Sequence, residues 1–392
     1  MPHSLRVAVT DRTDRSGMKR WDAGLISHGA ILLLFAAMLL LASPASGEEH
    51  ADDGQDPTSP ALSLPGPEWE PTGLEGPVFG LQTPFSGAFF ASTGAGLLRS
   101  DDGGDSWRAV TLPPGARSAV VDPIDHTTLY AGGDGGLYAS RDDALSWQLI
   151  LALANERVFR IAVSPADNRV LYVSLLGGSS NTRHYRFLRS EDRGIIWQPL
   201  QQLEFSLCGW IEPILRPHPT NPDRVFRALN CAAGRSTQLA LTQSRDRGVT
   251  FQSAFGRPFE HAAALAGGDG REPARYYLAS NRDARAGGST LFRSDDDGAT
   301  WEEVLAFRGG GIQDAGAPNI RLGDLTYDPG TPDRVWVTLT EGARGVLSST
   351  DGGATWVEAG PADPGRVNAL TLGIDARNLY VATDQRLWRL RL

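Results

Sequence analysis

The chain has 392 residues, a formal net charge of -9 and 45 glycines without a collagen period, so it suits one large repeat domain or two ordinary ones. Acidic residues outnumber lysine and arginine by 46 to 37, which speaks against general nucleic-acid binding. Lys19 is the only lysine; the remaining cations are arginine.

The N-terminus reads as a targeting segment. Arg12, Arg15, Lys19 and Arg20 precede an apolar run from Ala30 to Leu41, and the small residues Ala42 to Gly47 suit cleavage. The expectation is a signal peptide over 1–47, with Met1 or Met18 as the start and export to the periplasm or medium. The run is short for a membrane span. The alternative is an uncleaved anchor with the folded domain outside the cytoplasm. Residues 48–66 are rich in Glu, Asp, Pro and Ser and read as a flexible leader.

The rest of the chain is organised by an eight-residue pattern: Ser, any, Asp, any, Gly, any, Ser or Thr, aromatic. Full copies run from Ser100 to Trp107, Ser244 to Phe251, Ser294 to Trp301 and Ser349 to Trp356. Two weaker copies run from Ser140 to Trp147, with Ala144 for the glycine, and from Ser190 to Trp197, with Ile196 for the hydroxyl. The six starts lie 40, 50, 54, 50 and 55 residues apart. A fixed motif at variable spacing marks stacked supersecondary units with loop insertions. Within each copy the aspartate can accept backbone N–H groups and hold a turn. The glycine tolerates a left-handed backbone, and the aromatic opens the next strand. Asp102, Asp142, Asp192, Asp246, Asp296 and Asp351 therefore read as structural.

Between copies, apolar strands alternate with Pro/Asp/Asn turns, as in an antiparallel meander. Counting central strand pairs from Phe89–Leu98 to Leu379–Trp388 yields seven units. The last stops at Leu392 before any box, while Trp69-Glu70-Pro71-Thr72 looks like a strand that follows one. The expected fold is all-β: a seven-bladed β-propeller of four-stranded antiparallel blades over 67–392, closed by the N-terminal strand.

The motif resembles the Asp-box, or BNR, repeat of sialidases, the sortilin ectodomain, xyloglucan-cleaving glycosidases, and the photosystem II assembly factor with its non-photosynthetic relatives. The resemblance covers about residues 67–392 and is specific for fold rather than for function. Sialidase chemistry would imply three arginines on a substrate carboxylate, a Tyr–Glu pair and an acid. Phe159-Arg160-Ile161-Ala162 approaches that family's Phe-Arg-Ile-Pro but follows two boxes and lacks the proline, and no Tyr–Glu pair can be assigned. The xyloglucan-cleaving relatives imply two facing propellers with one catalytic acid from each. Glu212 and Asp324 are the weak candidates for such an acid here, because glycoside hydrolysis needs two carboxylates at a defined separation.

The innermost strand of each unit would line a central channel. Arg160, Trp210, Glu212, His261 and Arg321 are the ligand or partner candidates there; the plain alternative is that these charges line a wet channel and satisfy one another. No histidine has ligand-spaced partners, so no metal is expected, and no cofactor motif is present. Long loops at Leu176–Tyr185, Asn281–Thr290 and Phe307–Pro318 offer recognition surface. Cys208 and Cys231 flank a turn near residue 220 and would face each other across a hairpin, which suits a disulfide in an exported protein. The leading functional expectation is a monomeric, non-enzymatic propeller that binds a protein or peptide, with an assembly role implied by the resemblance. The alternative is a glycoside hydrolase or carbohydrate-binding protein.

Overall fold

The computed structural model describes residues 68–392 apart from 84–87, 179–182, 206–213, 234–235, 259, 269, 272, 283–286, 309–318, 342–344, 362–363 and 374–375. Among the described residues the ordered elements are all β-strands, and they form a β-propeller. No helix is long and apolar enough to cross a membrane among those residues.

The strands fall into six hydrogen-bonded sheets, five of four strands and one of six. This corrects the expectation of seven four-stranded blades. The cause is one strand, Gln148–Val163, which runs 16 residues without a break. Its first half pairs with Leu129–Ser140, and its second half pairs with Leu171–Gly178. Two sequence units thereby merge into one sheet. The expected closure of a seven-membered ring falls with that count. The N-terminal strand Trp69–Glu75 is the edge strand of the sheet formed by the last unit, paired antiparallel with Arg386–Arg391 from Trp69↔Leu390 to Glu75↔Arg386.

Burial follows the order of strands within a sheet. The second strand of a unit is apolar on both faces because its sheet is packed between two neighbours. Tyr276–Ala279 and Val335–Val337 are buried at every position. Strands that follow a box form the outer edge of their sheets and are less covered: Arg108 and Ala109 are exposed, as are Val357 and Glu358. The core is divided into clusters. One holds Phe226, Tyr276 and Phe292, with the half-buried Phe255 and Trp301 packed against it.

The six boxes share one hydrogen-bond pattern. The serine hydroxyl donates to the aspartate Oδ1 at 2.7–2.8 Å. The same hydroxyl oxygen accepts the N–H of the fifth residue at 2.7–2.9 Å. The aspartate Oδ1 also accepts the N–H of the seventh residue at 2.8–2.9 Å. Where that residue is Ser or Thr, its hydroxyl donates to Oδ2 at 2.5–2.6 Å. The fifth residue needs a positive φ, which explains Gly298 at 80°. Ala144 takes the same place at 65°, in a region that alanine seldom adopts.

Candidate functional site

Inner strands of several units surround a cavity of about 590 Å³. It is lined by Phe79, Arg160, Asn281, Asp324 and Asn368 among apolar and small residues such as Ala262–Ala264. Phe79 is 57% exposed, an uncovered aromatic ring at the cavity. Arg160 is exposed, lies with its guanidinium carbon 5.9 Å from the Phe159 ring centroid, and forms no ion pair with a described residue.

The cavity's polar side chains also connect neighbouring sheets, from an inner strand or, for Asn281, from the end of a second strand. Asn281 Nδ2 donates to the Leu322 carbonyl at 2.8 Å, and its Oδ1 accepts the Leu322 N–H at 2.9 Å. Asn368 Nδ2 donates to the Val78 carbonyl at 2.9 Å. Gln82 makes the same kind of clip, donating to the Ala119 carbonyl at 2.7 Å and accepting the Val121 N–H at 3.1 Å. Asp324 belongs to this series: its Oδ2 accepts the Leu370 N–H at 3.0 Å and its Oδ1 the Leu325 N–H at 2.9 Å. Burial nevertheless pushes the Asp324 carboxyl above the usual carboxylate range, because desolvation of the charge outweighs those two N–H groups. The strand that carries it pairs irregularly between Leu322 and Leu325, and a Cβ at Gly323 would lie 2.4 Å from Thr340 Cγ2 and 2.6 Å from Thr338 Oγ1.

The box aspartates are a different population. Asp142, Asp246 and Asp351 are held at about 2, first by the hydroxyls of Ser146, Thr250 and Thr355 and then by backbone N–H groups. Asp102 is lowered by the same contacts from Ser106. Asp192, which faces Ile196 instead of a hydroxyl, is lowered first by the Ile196 N–H. Asp296 is lowered too, its Thr300 partners overcoming an opposing burial effect.

Of the residues singled out in the sequence, Arg160 and Asp324 come together at the cavity. Arg321 instead pairs with Glu341 at 3.1 Å. Trp210 and Glu212 lie outside the described residues. His261 is described only as a strand position opposite Asn281. The Cys208–Cys231 pairing also falls outside them: Cys208 is not described, and Cys231 is known only as the strand position opposite Gln238. The tips of the first two long loops, 179–182 and 283–286, and most of the third, 309–318, fall outside as well. The reading from sequence missed Phe79, Asn281 and Asn368. The signal for Phe79 and Asn368 was a lone aromatic or polar residue in a short inner strand, as in Val367-Asn368-Ala369-Leu370; Asn281 lies at the end of the second strand Tyr276–Arg282 and carried no such mark. Among the described residues no cluster of His, Cys, Asp and Glu is arranged to hold a metal.

No family model matches the chain. A xyloglucanase from a Paenibacillus species is 31% identical over 197 residues, 43% of this chain and 19% of that protein. Xyloglucanase Xgh74A of Acetivibrio thermocellus is 31% identical over 199 residues, 43% of this chain and 22% of that protein. The chain thus spans about a fifth of the length of these curated relatives. Among solved structures, the GH74 xyloglucanase from Xanthomonas campestris superposes with a TM-score of 0.58 at 19% identity, over 82% of this chain and 53% of that one. YCF48 bound to D1 peptide superposes with a TM-score of 0.52 at 16% identity, over 85% of this chain and 97% of that one. Both structural likenesses are of fold. The chain is a β-propeller whose sequence is similar, over less than half its length, to xyloglucanases.

Proposed function

We propose that the chain is an exported carbohydrate-recognising propeller for xyloglucan or a related polysaccharide, with the central cavity as its glycan site. The observation that carries this reading is the 31% identity to a xyloglucanase over 197 residues. The cavity's chemistry suits it. Phe79 offers a ring face for stacking on a sugar, and Arg160 offers donors to its hydroxyls. Export is supported by the N-terminal charge, apolar run and small-residue pattern. The protein- or peptide-binding reading has only fold likeness behind it.

Hydrolysis is the second half of the reading. It requires an acid and a second carboxylate across the scissile bond. Asp324, kept above the usual range by burial, has the character of a proton donor at mild acidity. Its two oxygens already accept backbone N–H groups, and it is the one carboxylate among the described residues that line the cavity. Recognition therefore comes first in the proposal, and cleavage depends on a partner carboxylate.

Calorimetric titration with xyloglucan oligosaccharides tests recognition. We expect saturable binding that weakens in Phe79→Ala and Arg160→Ala while thermal stability is kept. Absence of binding to xyloglucan and to other plant glucans would overturn the reading. Release of reducing ends by the native chain, lost in Asp324→Asn, would extend it to catalysis.

A further inference from the structure

The charge at the central cavity is unbalanced. Among the described residues that line it, Arg160 is the one cation and Asp324 the one carboxylate. Arg160 is exposed and forms no ion pair with a described residue. Its neighbour is the Phe159 ring, a contact that satisfies none of its N–H donors. Arg216 directly follows Ile214 and Leu215, which line the same cavity. It too is exposed and forms no ion pair with a described residue, and its charge reaches the Asp324 carboxyl.

Carboxylates are in surplus on this chain, 46 against 37 lysines and arginines. Away from the cavity, arginines draw on that surplus: Arg275 meets Asp295 and Asp333, Arg293 meets Asp295 and Glu302, and Arg389 meets Glu70 and Asp105. Asp324 does not do the same for Arg160 or Arg216. Its two oxygens accept the Leu325 and Leu370 N–H groups, and burial favours its neutral form. The amides at the cavity carry no charge, and Asn281 is committed to Leu322 through both of its polar atoms. The described lining therefore presents a guanidinium whose charge is unanswered, with a second close by.

Resting on the reading of this cavity as a glycan site, we propose that the glycan it takes carries uronic acid, with a sugar carboxylate held on the Arg160 guanidinium and Arg216 adding to the attraction. The planar guanidinium fork matches a carboxylate through two parallel N–H donors. A sugar hydroxyl can accept one of those donors but leaves the positive charge unanswered. Hydrogen bonds in which both partners are charged are roughly twice as strong as neutral ones, so the carboxylate is the better occupant. A doubly charged phosphate ester would call for two guanidinium groups in direct contact, and the described lining supplies one. Phe79, 57% exposed at the same cavity, offers its ring to the apolar face of the sugar. The ring would hold any pyranose, and Arg160 would select the acidic one.

The test is calorimetric titration of the full chain with two matched pairs of ligands. One pair is a neutral xyloglucan oligosaccharide and the same oligosaccharide with its primary hydroxyls oxidised to carboxylates. The other is trigalacturonate and its carboxyl-reduced form. The expected result is that the acid of at least one pair binds roughly tenfold more tightly than its neutral counterpart, an advantage that shrinks as salt is raised. Arg160→Gln, at an exposed position, should keep the melting temperature, weaken both members of that pair and bring their ratio close to one. Arg216→Gln should narrow the ratio by a smaller factor. If xyloglucan binds and neither acid outdoes its neutral counterpart, the uronate proposal is overturned and the carbohydrate reading stands. Binding of none of the four ligands overturns both. An acid preference that survives in Arg160→Gln overturns the assignment of the carboxylate to Arg160.

Discussion

Two sets of aspartates in this propeller sit in opposite environments. Those of the boxes are at turns, wrapped by hydroxyl and N–H donors, and are held below the usual range. Asp324 is at the central cavity, meets only two N–H donors, and is pushed upward by burial. Both sets build structure, since one fastens a turn and the other clips two inner strands. The difference is what each leaves over. A box aspartate has its acceptor capacity consumed by its own eight residues. Asp324 retains an elevated proton affinity beside a cavity large enough for a ligand, which is the state from which acid chemistry can start.

The largest expected effect breaks the comparison on the box side. Trp301 packs against the Phe226–Tyr276–Phe292 cluster, and its Nε1 donates to the Gly298 carbonyl at 3.0 Å. Full burial of a tryptophan would make its removal cost roughly 3–5 kcal/mol; because Trp301 is half-buried, Trp301→Ala should cost about 2–4 kcal/mol in denaturant unfolding. Glycan affinity, measured where the variant is still folded, should be unchanged. A variant that keeps its stability but loses the glycan would place the boxes in the binding machinery.

Next in size is a change at the cavity. Gly323→Ala forces a methyl group against Thr340 and Thr338. The expected cost is about 1–3 kcal/mol from overpacking, and the shift of the adjacent Asp324 should weaken glycan binding as well. A stable variant with native affinity would show that this backbone does not position the site. On the box side, Asp296→Ala removes the acceptor for the Thr300 N–H and hydroxyl and for the Ser294 hydroxyl. The cost should resemble the loss of a helix cap, about 1 kcal/mol, read as a small fall in denaturation midpoint without loss of ligand affinity.

The same contrast explains what could be read from sequence. The boxes were legible because each is closed by contacts within eight residues, and local geometry is written in local residue types. Ile196 and Ala144 depart from the pattern, yet the turn survives because the remaining donors still converge on Asp192 and Asp142, and the Ala144 N–H still reaches the Ser140 hydroxyl. The unit count was misread where the sequence lacks punctuation. Leu151 to Val163 contains neither Gly nor Pro, so nothing interrupts the strand that fuses two units. Elsewhere such links carry breakers, such as Pro113-Pro114-Gly115 and Gly360-Pro361. At the cavity, Asp324 could be singled out as a carboxylate in an inner strand. Its bond to Leu370, 46 residues away, could not be foreseen, because it depends on which strands become neighbours. Phe79 was lost among apolar strand residues, where an exposed ring and a buried one look alike.

The smallest effect separates the two populations by sign. A box aspartate has a folded value of about 2 against an ordinary 3.8, so its stabilisation is present above 3.8 and is lost as pH falls toward 2. Asp324 has a raised folded value, so folding is favoured with the group protonated, and that contribution is lost as pH rises through the raised value. Melting temperature should therefore rise on mild acidification from neutrality and then fall below the ordinary carboxylate range. Asp122, fully buried and also raised by desolvation, contributes to the first limb. In Asp324→Asn the charge is gone, but a single carbonyl oxygen must serve where two oxygens accepted the Leu325 and Leu370 N–H groups. Stability at neutral pH should change little, since relief of charge burial offsets the lost hydrogen bond. The rise between neutrality and mild acid should shrink to the part that Asp122 supplies, while the acid limb stays where it is. An unchanged upper limb in the variant would mean that Asp324 does not titrate above its ordinary range. The cavity would then lose its claim to a carboxylate different in kind from those of the boxes.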